Sequence, residues 1–142
     1  MTRLTRDQAA AQVLEGIRAD LGACTAIRDL LERQFSAALR HRGSELAALG
    51  ERLGPQLDTM EQRRRQRVQL VRALFGAEAT MDAFFASLPA AQRASALSDW
   101  QALEQLVQDC QQATTRNRYL MAEQYSTMQR VLHGDSGTYA PA

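Results

Sequence analysis

The side chains able to do covalent or acid–base chemistry are few in this chain and far apart. There are two histidines, His41 and His133, and two cysteines, Cys24 and Cys110. A nucleophile needs a base that titrates near neutrality within hydrogen-bond reach, and histidine is the usual one. Both histidines fall where helices are expected to end, a place where a cationic ring meets the negative end of the helix dipole. Capping or solvation accounts for them. No His-x-x-x-His, Glu-x-x-His or Cys/His cluster supplies metal ligands. No Gly-x-Gly-x-x-Gly or P-loop pattern cradles a nucleotide phosphate. Cys24 and Cys110 have no Cys-x-x-Cys partner and sit on apolar helix positions, which reads as buried free thiols. Acidic residues such as Glu45 and Glu51 are spread along helices. The expectation is a protein without enzyme activity, metal or cofactor.

The densest charge is the run Glu61-Gln-Arg63-Arg64-Arg65-Gln-Arg67. Consecutive helical residues are about 100° apart, so this run wraps around a helix instead of forming one stripe. A nucleic-acid binder gathers its charge on one face or interleaves it with aromatics. The formal net charge is only +1, which gives no overall attraction to nucleic acid or anionic lipid. The run reads first as solvated helix surface, next as intramolecular pairs with Asp99, Glu104 or Asp109, and last as a nucleic-acid site. All 17 basic residues are arginine. Coding bias is the first explanation, because the preference covers the whole chain.

The elements that must carry these residues are helices. Ala, Leu, Gln, Glu and Arg dominate the 142 residues, and all are good helix formers. The chain is 45% hydrophobic but only 6% aromatic, so its core must be aliphatic. One domain is expected at this length, all-α and elongated like a coiled coil. From Asp7 to Arg42 the residues Ala10, Leu14, Ile17, Leu21, Cys24, Ile27, Leu31, Phe35 and Leu39 form one helical stripe. Thr5 or Asp7 can cap its start, Gly43 can end it, and Ser44 can cap the next helix. Leu46, Leu49, Leu53, Leu57, Met60, Val68, Val71, Leu74 and Phe75 continue the rhythm to Gly76. Gly54-Pro55 predicts a kink or short break within it. A turn of only a residue or two at Gly43 makes residues 7–76 an antiparallel helical hairpin.

Residues 77–97 read as a connector crossing the end of that hairpin. Met81, Phe84, Phe85 and Leu88 are expected to form a small helix closed by Pro89, with a further turn over 90–96. Ser98-Asp99-Trp100-Gln101 has the form of a capping box with Leu97 as staple, predicting a long helix over 98–133. Its stripe runs Trp100, Leu103, Val107, Cys110, Thr114, Asn117, Met121, Met128 and Val131. Tyr119, Leu120, Tyr125 and Leu132 fall off that stripe, so one core does not account for every apolar side chain. Residues 134–142 form a tail with a lone aromatic, Tyr139, behind the helix breakers Gly134 and Gly137. A self-associating structural coiled coil fits this pattern as well as a partner-binding rod does. No window has membrane-spanning length, and the first eight residues lack the apolar core of a signal peptide; a cytoplasmic location is expected.

The order of features resembles one known family. A leucine-rich hairpin with an Arg-rich second half precedes Trp100-Gln-Ala-Leu at the head of a long helix. Thr114-x-x-Asn117-Arg118-Tyr119-Leu120-Met121 and Gly137-Thr-Tyr139 follow. This resembles the FlgN family of flagellar type III export chaperones, most specifically over about the last forty residues. Asn117 and Tyr139 match the family's Asn-x-x-Asn-Gly and Tyr-Gly-x-x-Gly patterns. Thr114, Arg118 and Ala140 depart from them, and the chain stops at Pro141-Ala142 before the final Gly. The resemblance implies a non-enzymatic cytoplasmic chaperone that needs no ATP. It implies binding to the C-terminal helices of the hook-associated junction proteins FlgK and FlgL, protection from premature assembly, and delivery to the export gate protein FlhA. It implies cargo contact toward the C-terminal part, expected at Asn117, Tyr119, Leu120, Met121, Tyr125, Met128 and Leu132, and gate docking through Tyr139. From charge and hydropathy, no nucleic-acid partner and no stable membrane insertion are expected.

Overall fold

Thr5 caps the first helix, as its side chain allows. Its hydroxyl accepts from the Gln8 amide while the Gln8 side chain accepts from the Thr5 amide, a complete capping box. The computed structural model describes residues 4–134. Helix α1 runs Arg6–Leu39, α2 Gly43–Phe75, α3 Met81–Ala86 and α4 Ala90–His133.

The α1–α2 turn departs from expectation in which residue does the turning. His41, at φ +55°, takes the left-handed position, and Gly43 is already the first residue of α2. The Arg42 amide donates to the Ala37 carbonyl and the His41 amide to Ala38, the two bonds of a Schellman closure. Those bonds satisfy the last carbonyls of α1, so the backbone turns two residues before the glycine. Arg42 becomes the cap position of α2 without a side-chain bond, and Ser44 lies inside the helix.

Pro55 does not break α2, which is continuous across it. The ring removes one helix hydrogen bond, a loss that costs a helix interior roughly 3 kcal/mol. Leu49 and Leu53 are buried in a cluster with Ile27, Leu30 and Leu31 of α1, and this packing holds the helix through the defect. The helix closes at Gly76, whose φ of +109° suits glycine.

The connector is shorter than residues 77–97. It contains α3, whose Phe84 and Phe85 are buried with Leu88, and it ends at Pro89. The last helix begins at Ala90, eight residues before Ser98. Arg93 explains the difference: its guanidinium donates to the carbonyls of Phe85, Ala86 and Leu88, tying the start of α4 to the end of α3. Ala96 joins the core one turn later. Ser98 and Asp99 are therefore interior helix positions, and Asp99 faces Arg18 at 3.8 Å.

Helix α1 is the axis of the molecule. Helices α2 and α4 both pack along it and hardly touch each other, while α3 packs against both α2 and α4. The register of α4 on α1 is constant. Cys24 meets Cys110, Leu31 meets Asn117 and Ala38 meets Gln124, each pair 86 residues apart. The two helices are thus parallel. At about 1.5 Å per residue, α1 is about 50 Å long and α4 about 65 Å.

Candidate functional site

The constant offset of 86 sets Leu39, the last residue of α1, beside Tyr125. Residues 126–133 of α4 then have no α1 alongside them. This overhang is about 12 Å long at the helical rise. Its sequence pattern does not change where its partner ends. Leu103, Val107, Cys110, Thr114, Arg118, Met121, Tyr125, Met128 and Leu132 recur at intervals of three and four, so they lie along one face of α4.

The lower part of that face is one wall of a groove of about 640 Å³. Asp20, Cys24, Ile27 and Leu31 of α1 form its floor, and Leu57, Met60, Glu61 and Arg64 of α2 form the opposite wall. The groove exists because α2 and α4 each pack on α1 and hardly touch each other. The upper part of the face is open. Tyr125 is 66% exposed, Met128 55% and Leu132 67%, and Val131 beside them is 71% exposed. Leu39 at the tip of α1 and Leu57 on the groove wall are about half exposed.

The expected cargo residues separate into three groups. Met121, Tyr125, Met128 and Leu132 share the open face, with Met121 half-buried where α1 is ending. Tyr119 is exposed, but two helical positions from Met121 place it on the opposite side of α4, and Leu120 is half-buried between them. Asn117 is different. It is buried, its amide donates to the Leu31 carbonyl at 2.8 Å and to Gln34 Oε1 at 2.8 Å, and its oxygen accepts from Arg116. Its polar atoms are spent inside the fold, tying α4 to α1, and it is no part of the open face. Tyr139 lies outside the described residues.

Val131, Leu57 and the groove itself were not among the expected site residues. The 3–4 spacing gives the direction of a stripe but not the point at which its partner helix stops. That point depends on where α3 and Arg93 set the start of α4.

The arginine run is not a uniform solvated surface either. Arg63 and Arg67 are four residues apart and both turn inward to Asp20 of α1, which is buried; Arg67 Nη1 lies 2.8 Å from its carboxylate. The Arg67 guanidinium also sits 5.2 Å from the centre of the Trp100 ring, joining α2 to α1 and α4 at once. Arg64 and Arg65 turn outward and share Glu61, whose carboxyl the Arg64 hydrogen bonds hold at about 2. The pairs expected with Glu104 and Asp109 do not form with this run: Asp109 faces Arg28 instead, at 4.0 Å.

Such a surface binds by burial. Each large apolar side chain moved from water into a packed contact contributes about 1.5–3 kcal/mol. Methionine adapts to differing shapes because it is unbranched and polarisable. Among the described residues no cluster of three metal-ligating side chains occurs, and no helix is long and apolar enough to cross a membrane. A family model described as FlgN protein matches residues 1–134. No curated protein and no solved structure matches the chain.

Proposed function

The chain belongs to the FlgN family, and from that membership we propose that it is a flagellar export chaperone that takes a cargo helix on the open face of α4. The cargo is the C-terminal helical region of the hook-associated junction proteins FlgK and FlgL. Bound there, that region is kept from assembling early and is handed to the export gate protein FlhA from the cytoplasm.

One observation supports this reading above the others: the face of α4 that carries Met121, Tyr125, Met128 and Leu132 is open and runs past the end of α1. A helix that normally packs in a polymer exposes an apolar stripe when alone, and helix-in-groove packing covers it. Three helices with α1 as floor and α2 and α4 as walls leave the place of a fourth, and its arrival would complete a four-helix arrangement. Met121 and Met128 allow the face to accept two related cargoes.

The test is solution assembly. Size exclusion with light scattering should show a monomer of this chain that gains one equivalent of a FlgK or FlgL C-terminal fragment. A stable homo-oligomer that ignores the fragment would instead indicate a structural coiled coil. Tyr139 is assigned to the gate. Tyr139→Ala should leave folding and cargo affinity unchanged and weaken binding to FlhA in a pull-down; wild-type FlhA binding by the variant removes that assignment.

A further inference from the structure

We propose that Cys24 and Cys110 are an oxidation site, a thiol pair that a peroxide closes into an intramolecular disulfide clamping α4 to α1 at the floor of the groove. Their Sγ atoms are 3.6 Å apart on two helices that run side by side in fixed register. The other sulfur contact is Cys110 Sγ to the Cys24 carbonyl, also at 3.6 Å. A disulfide bond is about 2 Å long, so the sulfurs have about 1.5 Å to travel. Both cysteines are free in the structure.

Access sets the order of events. Cys24 is buried, whereas Cys110 is partly exposed, and both line the groove. The Cys110 sulfur, as thiolate, attacks one oxygen of hydrogen peroxide. The O–O bond breaks, hydroxide leaves and takes up a proton as water, and Cys110 becomes a sulfenic acid. The Cys24 sulfur then attacks the Cys110 sulfur; the S–O bond breaks, a second water leaves, and the S–S bond forms. Two thiols lose two electrons in total and one peroxide gains them.

Burial makes the reaction slow near neutrality. It raises both thiols, Cys110 up to about 12, so the reactive thiolate is scarce. Asp20 of α1 and Asp109 of α4 reinforce the rise at Cys24, and Arg28 of α1 opposes it. From the facing helix α2, Glu61, Arg64 and Arg67 line the same groove, and Arg118 of α4 lines it too. Closure therefore speeds up as pH rises. The bridge would span 86 positions of sequence, a long loop whose closure restricts the unfolded chain strongly. It lies about three helical turns below Met121 and leaves the open face of α4 free. A helix seated in the groove would cover Cys110. That last consequence, unlike the clamp, rests on the cargo reading above.

The experiment exposes the full chain to hydrogen peroxide and reads it by non-reducing intact-mass and peptide mass spectrometry, then by thermal melting. The expected result is a loss of two hydrogens, a linked Cys24–Cys110 peptide, reversal by dithiothreitol, and a midpoint raised by several degrees; Cys24→Ser should add oxygen at Cys110 without linkage. Disulfides between chains, oxygen addition without linkage in the unaltered chain, or a lowered midpoint would overturn the clamp. Repeating the oxidation with the junction-protein fragment bound should slow closure. Equal rates in the free and bound chain, with the Cys24–Cys110 link still formed, would remove the fragment from the groove and leave the clamp standing.

Discussion

Asp20 shows what a single residue decides in this fold. It interrupts an apolar face of α1 with a carboxylate that is almost fully buried, and it is tolerated because Arg63 and Arg67 reach it from α2. A buried pair need not stabilise relative to an apolar replacement, but removing one partner leaves charge without compensation. Asp20→Ala should cost about 3 kcal/mol in chemical denaturation, more than an exposed acidic residue such as Asp58 would. A loss below about 0.5 kcal/mol would mean the arginines relax to solvent and the pair is ornamental. Asn117 belongs to the same class, since both its amide bonds cross from α4 to α1. Neither role was legible in the sequence. The stripe on α1 passes over Asp20 without marking it, and Asn117 on the stripe of α4 reads equally as a core tie or as a contact for a partner. Only the packing of three helices distinguishes these.

At the scale of elements the helices were largely legible and their ends were not. The spacing of Ile17, Cys24, Ile27 and Leu31 identified the buried face of α1, and those residues are in the core. The all-α elongated form followed from composition and periodicity. The boundaries failed where tertiary contacts outweighed local signals. Ser98 has every local mark of a cap, but Arg93 and Ala96 bind the preceding turns to α3 and the core, so the helix starts at Ala90 instead. Gly43 is the obvious helix stop, but the backbone closes on His41. Pro55 is the obvious break, but the buried Leu49 and Leu53 hold the helix in the two turns before it. Pro55 is exposed, so Pro55→Ala should restore a hydrogen bond without disturbing the core and stabilise the protein by about 2–3 kcal/mol. An unchanged unfolding midpoint would show that α2 is already relaxed around the ring.

The three long helices form a rod in which the longest outlasts its support. Parallel α1 and α4 start from the same end, where α3 closes the bundle, and α4 is ten residues longer. Its apolar pattern therefore continues into solvent over Met128, Val131 and Leu132, with Tyr125 at the tip of α1 just before them. This surplus is what family membership makes intelligible: a flagellar export chaperone needs an apolar surface that its own fold does not consume. The sequence suggested the face through its mixed apolar positions, and the parallel register of α4 supplied the reason that the face is open.

The most direct measurement is the affinity of a Met128→Asp, Leu132→Asp double variant for the C-terminal fragment of FlgK or FlgL, read by calorimetry beside its thermal midpoint. Both side chains are exposed on the overhang, so folding stability should change by no more than about 0.5 kcal/mol per site. Cargo binding should weaken at least about tenfold, the equivalent of 1.4 kcal/mol. Wild-type affinity in a normally folded variant would contradict the account, because the uncovered face of α4 would then not be where cargo packs.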